Sequence, residues 1–315
     1  MTVNGVSFDL SALRAALARG EKAALARTLA RLERDPDQDS TLALLDAAWT
    51  EPLAQVIGLT GPPGVGKSTL TGALIAAYRA RGKTVAVIAV DPSSRRSGGA
   101  LLGDRVRLAT DPEDGGVFVR SMAARDRLGG LAGLTISAMV LMRALFDIVL
   151  IETVGVGQSE TDVAGAADSV VFCVQPGSGD SLQFMKAGIV EIPHIVVVTK
   201  ADMGAVAERA RSDMIGALGL TSVNGDEWPV AVLAVSAVRK DGVEGLVEAL
   251  DRHAAWLGEH NRLGQARHDQ AQDWLVDAVR ERFGRDGLRR AGSLDLPAAA
   301  APFGRLAALI GRLGR

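Results

Sequence analysis

Gly61-Pro-Pro-Gly-Val-Gly-Lys-Ser68 is the stretch on which the fold turns. It follows a strand-like run, Ala54-Gln-Val-Ile-Gly-Leu-Thr60, and precedes a helical one, Thr69 to Arg81. Two glycines with four residues between them, then lysine and a hydroxyl residue, form the phosphate-binding loop (P-loop) pattern, and the strand and helix on either side are the context it requires. The chemistry explains the residue types. Glycine lets successive backbone N–H groups curl around a phosphate without a side chain in the way. The helix that follows presents its positive end. Gly61, Pro62, Pro63, Gly64, Val65, Gly66, Lys67, Ser68 and Thr69 are therefore the candidate phosphate cradle. Lys67 would reach the β- and γ-phosphates and Ser68 would offer its hydroxyl to Mg²⁺.

Working outward, further apolar runs begin at Thr84-Val-Ala-Val-Ile-Ala-Val90, Gly116-Val-Phe-Val-Arg120, Asp147-Ile-Val-Leu-Ile151, Ser169-Val-Val-Phe-Cys-Val174, His194-Ile-Val-Val-Val-Thr199 and Pro229-Val-Ala-Val-Leu-Ala-Val235. Several are apolar on both faces, as strands covered on both sides must be. Helical stretches fill most intervals, so the expected class is α/β: a doubly wound, mostly parallel sheet. Residues 1–50 read as an N-terminal helical extension, 51–255 as the nucleotide domain and 256–315 as a C-terminal helical arm. Ser40 is the expected cap of a short helix in the first of these. The regular helical pattern of the arm runs to about Phe283, and Leu306, Leu309, Ile310 and Leu313 give the tail a weak apolar stripe.

In an open α/β sheet ligands bind beyond the carboxyl ends of the strands. Asp91 ends one apolar run, Glu152 ends another, and Asp104 lies in the segment between them. Mg²⁺ is held by one or two carboxylates and keeps several waters. Ser68, Asp91, Asp104 and Glu152 are thus the candidate cation ligands, and the three acids with Lys67 the candidate catalytic groups. Glu152-Thr-Val-Gly155 fits the Asp-x-x-Gly element of GTP-hydrolysing proteins, with Glu in the acidic place; the Gly155 N–H would touch the γ-phosphate. Val156 follows, where a glutamine would orient the attacking water. Asp91 or Asp104, then Gln158, are the candidates for that task. Thr199-Lys-Ala-Asp202 follows a later strand and fits the guanine-recognition pattern. The Asp202 carboxylate can accept from guanine N1–H and the N2 amino group, which adenine does not offer, and the Lys200 stem would cover the base. Ser236, Ala237 and Val238, after the last strand, would meet the base O6 through a backbone N–H. GTP and GDP with Mg²⁺ are the expected ligands.

Composition removes several other classes. The net charge of −2 provides no global field for nucleic acid or an anionic membrane. The single cysteine, Cys173, excludes an internal disulfide framework and fits a reducing, cytoplasmic setting. No signal peptide is visible, and the longest apolar runs are strand-length, well short of the roughly 20 residues of a membrane span.

Glu152-Thr-Val-Gly-Val-Gly-Gln-Ser-Glu160, Asp91-Pro-Ser-Ser94, Gly98-Gly99 with Gly103-Asp104, and Gln175-Pro-Gly-Ser-Gly-Asp180 together resemble the MeaB/ArgK family of SIMIBI-type P-loop GTPases. The likeness runs from about residue 15 to about residue 280. It implies a chaperone of adenosylcobalamin-dependent methylmalonyl-CoA mutase, or of a related acyl-CoA mutase, that uses GTP hydrolysis to gate cofactor loading or protection. It also implies a homodimer with the C-terminal helices as dimerisation arm. Gln158, and the loop Gln175 to Ile189 with Asp180 and Lys186, would pass nucleotide state to the partner. Arg95-Arg96 and His194 depart from the family pattern but leave the nucleotide motifs intact. Two alternatives come from other functional classes: a metallocentre-assembly GTPase delivering nickel, and an ATPase or kinase tied to amino-acid transport.

The base site gives a first test. Asp202→Asn presents a donor where the carboxylate accepts, so guanine affinity should fall and affinity for a base with a C2 carbonyl should rise. Titrating the variant with GTP and XTP checks this; undiminished GTP binding with no gain for XTP would put the base site elsewhere.

Overall fold

The computed structural model describes residues 2–3, 6–7, 9–92, 110–124, 133–153, 162–177, 192–219, 227–298 and 300–314. Seven strands form one parallel sheet: β1 (Gln55–Thr60), β2 (Val85–Pro92), β3 (Val117–Ala124), β4 (Ile148–Glu152), β5 (Ser169–Val174), β6 (Ile195–Val198) and β7 (Ala231–Ala234). Their order is β3-β2-β4-β1-β5-β6-β7. The doubly wound α/β sheet read from the apolar runs is therefore the fold. β1 is the central strand. Its neighbours β4 and β5 lie on opposite sides, with Leu59 in register with Glu152 on β4 and Thr60 with Phe172 on β5. The order of the chain reverses here, and such a switch point opens a crevice at the strands' carboxyl ends.

Every residue of β4, β5 and β6 is buried, because both faces of the sheet are covered. On one face lies α4 (Lys67–Ala80), which places Leu70, Leu74 and Tyr78 at four-residue steps along its buried stripe. These pack with Ile57, Leu59, Val87 and Leu150 of the sheet and with Leu246, Val247 and Leu250 of a later helix, Val243–Glu259. A second cluster joins Phe172, Val174, Val196 and Val198 to Ala207, Met214 and Leu218 on the helix Ala205–Leu218.

The chain divides into two compact units. The sheet and the helices just named lie in one, Gln55–Leu131 with Ile148–Arg262. The other is assembled from Met1–Ala54, Ala132–Asp147 and Leu263–Arg315, so helices from both ends of the sequence share it. It contains α1 (Leu10–Ala18), α2 (Lys22–Arg34), α3 (Asp39–Thr50), the helix Gly133–Arg143, and two C-terminal helices, Arg262–Ala291 and Pro302–Leu313. A two-residue ladder, Thr2–Val3 with Val6–Ser7, precedes them. The weak tail stripe is a packed one: Leu306, Leu309 and Leu313 are buried with Leu275 and Val279, and the last helix packs on α3. The two C-terminal helices cap each other. Arg290 donates to Leu313 O at 3.0 Å, and Arg312 donates to Ala291 O at 2.5 Å. Each cation meets the unsatisfied carbonyls at the other helix's negative end. Arg143 is fully buried with its guanidinium 4.8 Å from the Trp49 ring centroid, while its carbonyl accepts from Leu53 N and Ala54 N.

Two local readings are corrected and a third holds. The third helix starts at Asp39 with Gln38 as its N-cap residue, and Ser40 Oγ instead accepts from Arg31. The helical pattern read to Phe283 holds: Gly284 has a non-helical backbone (φ 65°, ψ −166°) that suits glycine, and a further helical stretch runs beyond the kink to Ala291. The strand begun at Gly116 runs on to Ala124 because it pairs with β2 along its whole length.

At the amino ends of β5 and β6 sits a polar knot. His253 is wholly buried, its Nδ1 lies 2.7 Å from Ser169 Oγ, and its Nε2 has no hydrogen-bond partner among the described residues. Gln55 Nε2 donates to the same serine oxygen. The His194 ring lies 4.2 Å from that of His253, and Trp228 and Trp256 close around them. Burial, then the neighbouring His194, push His253 down to about 3; burial pushes His194 down to about 4 against the opposing pull of Asp168.

Both imidazoles are thus neutral in the folded protein while the unfolded chain takes up protons below about 6.5. Their contribution to stability is complete above that value and is lost as pH falls through it toward 4 and 3. For His253 the loss between about pH 7.5 and about pH 5 comes to roughly 2 kcal/mol. Urea unfolding at the two pH values should show a shallower pH dependence for His253→Phe than for the parent; identical slopes would mean that His253 is not neutral and buried in solution.

Candidate nucleotide and cation site

The loop after β1 owes its path to three glycines with left-handed backbones: Gly61 (φ 130°), Gly64 (φ 74°) and Gly66 (φ 105°). At Gly61 there is also no room. A Cβ there would lie 2.2 Å from the carbonyl oxygen of Cys173 on β5, an overlap that backbone cannot relieve cheaply. Val65 is buried and anchors the loop from beneath, whereas Pro63, Gly64 and Thr69 are exposed. α4 starts directly at Lys67 with Gly66 as its N-cap residue, so the helix presents its positive end to the loop. Lys67 is 6% exposed; its Nζ donates to Gly61 O at 2.7 Å and Pro62 O at 2.9 Å. The ammonium is therefore held inside the curl of the loop, where an incoming phosphate oxygen can compete for it.

Glu152 ends β4, in register with Leu59 of β1 and Ala89 of β2, and its side chain is buried. Its Oε1 accepts a short hydrogen bond from Ser68 Oγ, and Thr71 Oγ1 lies 3.0 Å from its Oε2. The segment beyond is tied back to β1: Thr153 N donates to Leu59 O at 3.1 Å, and the hydroxyls of Thr153 and Thr60 are 3.2 Å apart. A carboxylate and a serine hydroxyl brought together at the mouth of a phosphate loop are hard oxygen donors, the chemistry Mg²⁺ takes. The residues present fit that ion. Asp91 is carried by β2 in register with Ala123 of β3. Asp104, Gly155, Gln158, Asp180 and Lys186 lie outside the described residues.

The base-side residues gather at the ends of β6 and β7. Thr199 N donates to Val174 O, and its hydroxyl lies 2.7 Å from Val65 O and 3.0 Å from Val174 O. Threonine here joins the phosphate loop to the end of β5. Lys200 has a left-handed backbone (φ 54°), and its Nζ donates to Gln175 Oε1 at 2.6 Å and Gly64 O at 3.3 Å. Its stem is thus laid across the gap between the phosphate loop and β5. Asp202 Oδ1 accepts from Ser236 Oγ at 2.6 Å, and that hydrogen bond holds the carboxyl below its usual range. Ser236 is buried, Ala237 packs on the core, and Val238 is 81% exposed. The structure therefore brings together Lys67, Ser68 and Glu152 on the phosphate side, and Thr199, Lys200, Asp202 and Ser236 on the base side.

Three contributors escape a motif-based reading: Thr71, Gln175 as the partner of Lys200, and Gly242, where a Cβ would meet Ala234 O at 2.4 Å. Only Thr71 had a signal. It stands three residues after Ser68, hence on the same helical face.

The family model described as methylmalonyl Co-A mutase-associated GTPase MeaB matches residues 24–288. GTPase ArgK of Escherichia coli is 36% identical over 271 residues, covering 84% of this chain and 82% of that protein. The mitochondrial methylmalonic aciduria type A homolog of Mus musculus is 33% identical over 281 residues, covering 84% of this chain and 68% of that one. A crystal structure of a LAO/AO transport system kinase superposes with a TM-score of 0.69 at 26% identity, covering 100% of both chains.

The loop geometry predicts a contrast between two glycines. Gly61→Ala should destabilise the protein by more than about 2 kcal/mol and abolish nucleotide binding, since strain and overlap act together. Gly72→Ala, inside α4 with open space around it, should be neutral or stabilising by up to about 1 kcal/mol. Chemical unfolding of the two variants checks both; equal stabilities would show that residue 61 does not make the close approach.

Proposed function

The chain belongs to the MeaB family of P-loop GTPases and hydrolyses GTP, and on that premise we propose that it serves an adenosylcobalamin-dependent acyl-CoA mutase, methylmalonyl-CoA mutase foremost, as a chaperone gating cofactor loading or protection. The observation that carries the mutase assignment is the family match over residues 24–288; the mouse relative, by its name, supports it. The match favours neither metallocentre delivery nor amino-acid transport.

In this reading Lys67 leaves the carbonyls of Gly61 and Pro62 for the β- and γ-phosphates of GTP, and the loop N–H groups take the remaining oxygens. Ser68 and Glu152, with Asp91 and Asp104, would hold Mg²⁺, which when bound neutralises charge on the phosphate oxygens. Gly155 reports the γ-phosphate through its N–H. Asp202, aligned by Ser236, accepts from guanine, and a carboxylate set for those two donors rejects adenine. Lys200 covers the base. With Val156 after Gly155, no side chain there can orient water, so Asp91, Asp104 or Gln158 does so, completed by the partner. Asp180 and Lys186 carry the nucleotide state outward. The protein acts as a homodimer in the cytoplasm; among the described residues no helix is long and apolar enough to cross a membrane.

Intrinsic hydrolysis should accordingly be slow, within an order of magnitude of ~10⁻³ s⁻¹, and should rise when the mutase binds. A partner accelerates only by stabilising the transition state more than bound GTP. Steady-state phosphate release with and without the mutase tests this, repeated with Lys186→Ala. Absence of stimulation in the parent would remove this mutase as an activating partner, and full stimulation in the variant would remove Lys186 from the coupling.

A further inference from the structure

Thr71 is a buried polar residue on the apolar face of α4, among Leu70, Leu74 and Tyr78, and it is wholly inaccessible to solvent. A hydroxyl in such a place is unfavourable unless it is hydrogen-bonded. Two acceptors lie within reach: Lys67 O one helical turn back, at 3.0 Å, and Glu152 Oε2, also at 3.0 Å. A threonine has one hydroxyl hydrogen to give. If it went to Lys67 O, the Thr71 lone pairs would face the Glu152 carboxylate at hydrogen-bond distance, which is repulsive when Glu152 is ionised. The hydrogen therefore belongs to Glu152 whenever the carboxylate is charged.

Two hydroxyls three residues apart on one helix thus clamp the two oxygens of a single buried carboxylate, Ser68 on Oε1 and Thr71 on Oε2. They are not equivalent. Ser68 is itself a candidate ligand, so its oxygen must turn a lone pair to an arriving cation. Thr71 sits one turn deeper and does not change its role. We propose that Thr71 is the positioning residue of the cation site, holding Glu152 through Oε2 so that Oε1 stays turned toward Ser68 and the cation. The proposal rests on the reading that Ser68 and Glu152 hold Mg²⁺. Partners that orient metal-binding groups typically account for 10–100-fold in metal affinity.

The experiment measures binding of a fluorescent GDP to full-length protein as a function of Mg²⁺ concentration, with an EDTA arm for Mg²⁺-free affinity. Thr71→Val removes the hydroxyl at nearly constant volume, Thr71→Ser keeps it without the methyl, and Glu152→Gln removes the carboxylate charge. For Thr71→Val, GDP affinity in EDTA should stay within about twofold of the parent, while the Mg²⁺ concentration giving half-maximal tightening should rise about tenfold or more. Thr71→Ser should bring that concentration back to within about threefold of the parent value. Glu152→Gln should raise it at least as far as Thr71→Val. Parent-like Mg²⁺ dependence in Thr71→Val, alongside a raised one in Glu152→Gln, would overturn the role of Thr71 alone. Unchanged Mg²⁺ dependence in Glu152→Gln would overturn the cation site and the proposal with it. A Thr71→Ser protein as impaired as Thr71→Val, or a Thr71→Val protein equally weakened in EDTA, would show that packing of α4 is what residue 71 supplies.

Discussion

The carbonyl oxygen of Cys173 occupies the space that a side chain at residue 61 would need. That single close approach binds the functional end of the sheet together. β1 delivers the chain into the phosphate loop at Gly61, and the loop can leave the strand in this direction only because β5, its hydrogen-bonded neighbour, stands 2.2 Å from a Cβ that is absent. Thr199 extends the same contact through its hydroxyl, which lies close to both Val65 O in the loop and Val174 O at the end of β5. Lys200 adds a third link, from Gly64 O to Gln175. Phosphate side and base side are therefore one mechanical object, fastened across β1, β5 and β6 by backbone carbonyls whose positions the sheet dictates. The Cys173 thiol, pushed up to about 12 chiefly by burial, remains a neutral packing group beneath it.

The two ends of the sheet solve different problems. At the carboxyl ends, polar side chains converge on positions meant for a charged ligand. At the amino ends, His194 and His253 are shut in by Trp228 and Trp256, with their Nδ1 atoms bonded to Val170 N and Ser169 Oγ. His194 thus has a structural setting: its Nδ1 accepts from Val170 N, and its own carbonyl accepts from Trp228.

The seven strands of the sheet were legible as largely apolar runs, the buried ones unbroken, and the phosphate loop and Thr199–Asp202 stood out as contiguous runs of residues at a strand end. What escaped had no contiguous signature. The helix Gly133–Arg143 interrupts the sheet's own stretch of chain yet joins the unit built from the two termini, which depends on long-range packing. Ser40 was displaced as a cap because Asp39 already begins the helix. Thr71 looked like one more residue of an amphipathic helix; only the strand register that sets Glu152 beside it gives the hydroxyl a meaning. The helix end near Phe283 was legible in Gly284, and the short stretch beyond it packs through Ala291 with Val279 and Leu313.

The shared helical unit has a consequence for synthesis. Its helices Leu10–Ala18 through Asp39–Thr50 leave the ribosome before the sheet, yet α3 packs against Pro302–Leu313, which leaves after it. While the whole sheet is being made, the apolar face of α3 lacks that partner. The sheet, by contrast, has all its strands once residue 234 has emerged. Long-range closures of this kind are slow and leave apolar surface exposed in the meantime. All the strands of the sheet can thus be present on the nascent chain while α3 still waits for the helix that covers it, and its apolar face stays exposed until Pro302–Leu313 arrives.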